Sequence, residues 1–218
     1  MTLAAIACST SSVRLGPMVT PLPRRRPVKL AREVASLDRL SGGRLVPGVG
    51  IGGDGSGELS ATGEQLDDRT RAAMLDEGLD VLRAAWTGEP VHHRGEHYVV
   101  DGLTLLPTPA RPAGPPVWVA ARFGNPAPLR RAARHDGVFP IGIGEPAQLA
   151  EVVSAVGGSR PGFDVAVGGP PGAADDGYEA AGATWWMTAF PVATTEADVR
   201  AVLRDGPPPD RPAGQEHP

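Results

Sequence analysis

The sequence predicts an α/β fold of parallel strands with helices packed outside them. Three observations point there. Short apolar runs bounded by Gly and Pro alternate with amphipathic stretches, the pattern of βα units. The connections are mostly short, which favours one domain in 218 residues over two. With 41% hydrophobic and 21% charged residues, the chain can bury a core without disulfide or metal staples. Gly 29 and Pro 24 make about a quarter of it, so loops punctuate it more than usual. Pattern alone fits an open doubly wound sheet and a (β/α) barrel equally well.

Taken in order, residues 3–8 read as the tail of a helix, with Cys8 in its core. Residues 13–20 (VRLGPMVT) read as a strand that Pro17 bulges or ends, since proline has no N–H for a ladder. Residues 27–40 form an amphipathic helix with proline in its first turn. Leu30, Val34, Leu37 and Leu40 share its face. Residues 44–50 are the next strand, and a glycine-rich loop follows. A long helix spans about 64–86, with Asp67 and Asp68 in its first turn and Met74, Leu75, Leu79, Leu82 and Trp86 as its buried stripe. Residues 91–107 make a hairpin turning at Arg94-Gly95. Residues 116–121 are the third main strand, and Asn125-Pro126 caps a helix that runs to about His135. Strands at 138–143 and 163–167 flank a helix at 147–156. Residues 178–181 form a short helical piece and 183–190 a sixth strand, with Trp185 and Trp186 on opposite faces. Thr195 caps a last helix, and the domain closes near residue 203. Residues 204–218 read as a disordered, Pro-rich tail.

Several function classes drop out. A formal net charge of -4 argues against a general nucleic-acid binder. Cys8 is the sole cysteine, which excludes an internal disulfide and a cysteine-based zinc site. No apolar run approaches the roughly 20 residues that span a bilayer, and no secretory leader is apparent, so a cytoplasmic protein is expected. There is no G-x-S-x-G elbow and no G-K-[ST] phosphate loop. His92, His93 and His97 share a face only on a helix, whereas Pro90 and the alternation around them favour a hairpin; no metal site is expected.

Two loops invite a ligand. Gly48-Val-Gly50-Ile51-Gly52-Gly53 matches G-x-G-x-x-G, but about ten further loop residues precede the next helix, so a dinucleotide fingerprint does not follow. Those glycines instead let the backbone pass close to something, such as a flat ring. The segment 120–126 (AARFGNP) joins a strand end to a capped helix start, where free N–H groups and Arg122 suit a phosphate. Arg24-Arg25-Arg26 follows a strand end and reads as a solvated loop, with attraction of an anionic tail as the other reading.

The segments 13–27 (VRLGPMVTPLPRRRP), 29–33 (KLARE), 37–45 (LDRLSGGRL) and Gly48-Val-Gly50 together resemble the luciferase-like monooxygenase family, flavin- or deazaflavin-dependent (β/α)8 barrels. Residues 74–79 (MLDEGL), 86–90 (WTGEP), 116–119 (PVWV) and 129–134 (LRRAAR) extend the resemblance to about 3–191. It implies an incomplete (β/α)8 TIM barrel: six parallel strands, the family's third to eighth, without its first two βα units. It further implies FMN or coenzyme F420 at the C-terminal mouth. Met18, Val19, Thr20, Gly50 and Gly52 would flank the ring, and Ala121, Arg122 and Asn125 would hold the phosphate. The implied activity is flavin-dependent oxidation or oxygenation of a small organic substrate, with a homodimer or a flavin reductase as partner. A catalytically silent flavin-binding or partner subunit is the other reading. No acid or base is named, and Gly53 and Asp54 do not reproduce the acid some deazaflavin enzymes carry there. Six strands cannot close an eight-strand cylinder, so exposed edges are expected.

Overall fold

The computed structural model describes residues 1–206 apart from Ala174; of the tail expected at 204–218, residues 207–218 lie outside the described residues. The chain forms α1 (Thr2–Ser9), β1 (Thr20–Pro21), α2 (Pro27–Leu40), β2 (Gly48–Gly50), α3 (Asp68–Trp86), β3 (Val91–Arg94), β4 (Val99–Leu103), β5 (Trp118–Arg122), α4 (Pro126–Ala132), β6 (Gly137–Ile141), α5 (Pro146–Ala155), β7 (Asp164–Gly169), β8 (Trp185–Thr188) and α6 (Glu196–Asp205). Six strands form one sheet in the order β1-β2-β5-β6-β7-β8, every pairing parallel. β3 and β4 make a separate antiparallel hairpin. Among the described residues β1 and β8 have one neighbour each, so the sheet does not close. No helix among these residues is long and apolar enough to cross a membrane.

Alternation along the strands sorts side chains onto two faces. Val49, Val119, Ala121, Val138, Val165 and Val167 join Leu75, Leu79, Leu82, Leu129 and Leu149 in the main core beneath the helices. The inner face carries Val46, Trp118 and Ala166 as a second cluster, with Phe139, Trp185 and Met187 against it. Each fully buried leucine contributes about 2 kcal/mol. Trp185 and Trp186 do lie on opposite faces: one packs on Trp118, the other on Tyr178.

The structure corrects several local expectations. The strand over 13–20 is broken: Leu15 makes an isolated parallel bridge to Leu45, and regular pairing waits until Thr20. Pro17, which has no N–H, sits in the gap. Cys8 is exposed, because α1 buries only Ala7. On α2 the buried face is Ala31, Val34, Ala35 and Asp38, while Leu40 is 51% exposed. The helix therefore packs through its small residues and leaves its leucines at a margin. α3 starts at Asp68 rather than near Glu64, because the Asp67 carboxylate accepts from the Thr70 N–H and caps it there. α4 stops at Ala132, and tight turns carry the chain through His135. Residues 178–181 are hydrogen-bonded turns, not a helix. α6 runs to Asp205 behind a reciprocal Thr195–Asp198 capping box.

Candidate functional site

Parallel strands gather their C-terminal ends on one rim, and here that rim is built from the loops after β1, β2, β5 and β6. Register fixes which side chains look inward. Trp118, Ala120 and Arg122 alternate onto the inner face of β5, and Gly48 and Gly50 onto that of β2, since Gly48 pairs with Trp118. Met18 and Val19 cover these glycines. A Cβ on Gly50 would lie 3.2 Å from Val19 Cγ2 and 3.4 Å from Ala120 Cβ, and one on Gly48 would strike the Met18 sulfur. The Met18–Val19 peptide is cis.

The residues singled out from sequence divide between the two faces. Met18, Val19 and Gly50 meet at the inner rim, and Arg122 follows Ala120 on the same face of β5. Thr20 pairs with Val49 and shares its outward face, where it lines a groove of about 720 Å³ with Leu30, Leu37 and Val117. Ala121 is fully buried in the main core, so only its main chain belongs to the rim. The inward neighbour is Ala120, which counting by twos from Trp118 finds. Asn125 accepts from the Ala127 N–H and is occupied as a cap.

That cap alters the anion site expected there. Pro126 and Pro128 carry no N–H, Ala127's is taken by Asn125, and the Phe123 and Asn125 N–H groups donate to Ile141 and Arg122 carbonyls. What the loop offers an anion is the exposed Arg122 guanidinium, beside Gly142, and the Gly124 N–H. Asp54 does not act as a free acid. Its carboxylate accepts from the N–H groups of Leu59 and Ser60, and these bonds, Ser60's first, hold its pKa below the usual range. Arg24, from the basic triplet, pairs with Glu58 at 2.7 Å across the same rim.

Sequence reading missed two arrangements. Arg71, buried at the end of the first turn of α3, donates from Nη1 to the carbonyls of Ile51 and Gly52, at 3.0 Å each, and pairs through Nη2 with Asp68. Only its three-residue spacing from Asp68 hinted at it. At the opposite end of the strands, Asp164 accepts from the indole N–H groups of Trp118 and Trp185, both at 3.0 Å. Arg14 stands 3.6 Å from that carboxylate and 5.0 Å from the Trp185 ring centre. This floor is far in register from the rim and closes the inner face with polar groups that satisfy one another. The histidines lie elsewhere: His92 faces Asp101 and His93 faces Glu77 on the hairpin. Among the described residues no group of three His, Cys, Asp or Glu side chains is placed to hold a metal ion.

The profile of the family described as luciferase-like monooxygenase matches residues 1–207. The chain is 38% identical over 130 residues to an F420-dependent hydroxymycolic acid dehydrogenase of Mycobacterium tuberculosis, covering 59% of this chain and 35% of that one. It is 35% identical over 150 residues to an F420-dependent glucose-6-phosphate dehydrogenase of Gordonia bronchialis, covering 67% and 43%. Among solved structures, a monooxygenase from Streptomyces bottropensis superposes with a TM-score of 0.67 at 32% identity, over 82% of this chain and 56% of that one. The chain therefore spans about half the length, or less, of the proteins it matches.

Proposed function

The chain belongs to the luciferase-like monooxygenase family, and from that premise we propose that it is an oxidoreductase working with reduced FMN or coenzyme F420 on a small organic substrate. The observation that carries this reading is the inner rim. Gly50 places no side chain on this wall, which leaves an apolar strip bordered by Val19 and Ala120, 3.2 and 3.4 Å from where a Cβ would stand. A planar ring needs such a strip, so the residues present fit the group. When bound, the reduced ring supplies the hydride or the electrons passed to oxygen.

The chain's own residues then position and exclude water. Met18 and Val19 cover one side of the strip with apolar surface. Gly50, Ala120 and the main chain of Gly52 form its wall. Arg122 and the Gly124 N–H meet the phosphate, while Asn125 holds their loop by capping α4. Thr20 and Ala121 contribute through their main chains. No side chain at the rim is assigned a proton transfer, since Asp54 is committed to its own loop. The partners on this reading are the cofactor, the substrate, a second copy and, for FMN, a flavin reductase.

The test is to titrate the full chain with FMN and, separately, with F420, following ligand fluorescence. Saturable binding of one of them is expected, weakened about tenfold in Arg122→Ala by loss of one charge-assisted contact. Failure of both cofactors to bind would sink the proposal.

A further inference from the structure

The loop that leaves β2 carries a feature the cofactor reading does not use. In a trans peptide the C=O and N–H point in opposite directions. Arg71 Nη1 holds the carbonyls of both Ile51 and Gly52. The N–H groups of Gly52 and Gly53, which belong to those same two peptide units, are therefore turned away from α3. Neither donates to any described residue. Gly52 has φ +77, which turns the chain here, and nothing lies within 4 Å of where a Gly53 side chain would start.

A second observation points to a ligand. Arg71 is buried, with only 5% of its side chain exposed, and its Nε has no hydrogen-bond partner. Its one carboxylate partner, Asp68, is 78% exposed and so well screened by water. The guanidinium charge thus stands at the carbonyl ends of two amide dipoles, whose N–H ends, like the charge itself, favour negative charge on the far side.

We propose that Gly52 and Gly53, held by Arg71, form a paired N–H donor for an electron-rich oxygen of the bound ligand, and that this oxygen is a carbonyl of the ring system. Arg71 is the positioning residue and touches no ligand itself. The inference rests on the proposed cofactor reading and adds which end of the ring lies over the β2 loop. A phosphate oxygen has the same chemistry, so the test must separate the two sources.

The experiment follows the amide resonances of Gly52 and Gly53 by ¹⁵N NMR on the full chain. Riboflavin, FMN, F420 and inorganic phosphate are added in turn. Downfield shifts of both amide protons are expected with whichever ring ligand binds, and with riboflavin if that ligand is FMN. In Arg71→Met these shifts vanish and ring binding weakens about tenfold, the equivalent of two net hydrogen bonds. Arg71→Lys, which keeps the charge and can reach one carbonyl, recovers part of both. If a ring ligand binds and the two amides do not move, the inference fails while the cofactor reading stands. Shifts produced by phosphate and not by a ring ligand overturn the assignment to a ring carbonyl. If no ring ligand binds, both readings fall together, and the fluorescence titration reports that outcome separately. The wild-type spectrum decides the matter even if Arg71→Met loses its fold.

Discussion

Single arginines do much of the organising in this chain, which has one lysine, Lys29. Arg44 is the clearest case. It donates to the carbonyls of Ala7, Thr10, Val13 and Ser41 and to the Thr10 hydroxyl, so one guanidinium ties α1 to the turn before β2. Since α1 buries only Ala7, little else holds it. Arg44→Ala should destabilise the fold by about 3 kcal/mol, because several carbonyls lose a charged donor together. Urea denaturation measures this, and Arg44→Lys should recover only part. His135 acts at the same scale. Burial first, then the Arg83 guanidinium donating to Nδ1 at 2.8 Å, push its pKa from 6.5 down to about 4. The unfolded chain therefore takes up this proton first as pH falls. The neutral ring's contribution is complete above about pH 6.5 and is lost progressively down to about pH 4. His135→Asn should flatten the stability profile across that window; an unchanged profile would show that carboxylates set it.

Among the elements, the β3–β4 hairpin depends on one carboxylate. Glu77 on α3 accepts from the backbone N–H groups of Glu96, His97 and Tyr98 and faces His93 at 3.4 Å. Burial opposes its ionisation, but these bonds outweigh it and keep its pKa below the usual range. A Cβ on Gly95 would strike the same carboxylate. Glu77→Ala should release the hairpin while the six-stranded sheet stays intact. Hydrogen exchange would then show β3 and β4 amides losing protection and β5–β7 amides keeping theirs.

The elements also show what sequence could and could not reveal. The bounds of α2, the hairpin, and the Asn125 and Thr195 caps are local facts, written in proline, glycine and side-chain acceptors within a few residues, although the turn spans 95–98 and Arg94 belongs to β3. On α2 the predicted face is right for Val34, Leu30 and Leu37, which pack on the core, but Leu40 is exposed; that and the exposed Cys8 depend on which neighbour each helix meets, and periodicity does not contain that. At the rim, Gly50 and Arg122 were legible as strand-end residues. The inward choice of Ala120 over Ala121 needed register, and Arg71 needed a contact between residues about twenty apart in the chain.

At the scale of the whole fold, the described residues form a parallel sheet with two free edges and an inner face rich in Phe139, Trp185 and Met187. Unpaired edges recruit other strands, and uncovered apolar surface recruits partners. The isolated chain is expected to self-associate as its concentration rises, measured by sedimentation velocity. Charges placed on β8, as in Met187→Lys, should reduce that association. A concentration-independent monomer would mean that the inner face is covered in some other way.

The floor of the sheet has an optical consequence. Trp118 and Trp185 lie 5.7 Å apart, tilted by 56°, and lean on a shared carboxylate. Two indoles so disposed couple their excited states, giving circular dichroism a paired band of opposite signs that vanishes when either ring is replaced by Phe. That signal would report assembly of the lower layer independently of any ligand above it.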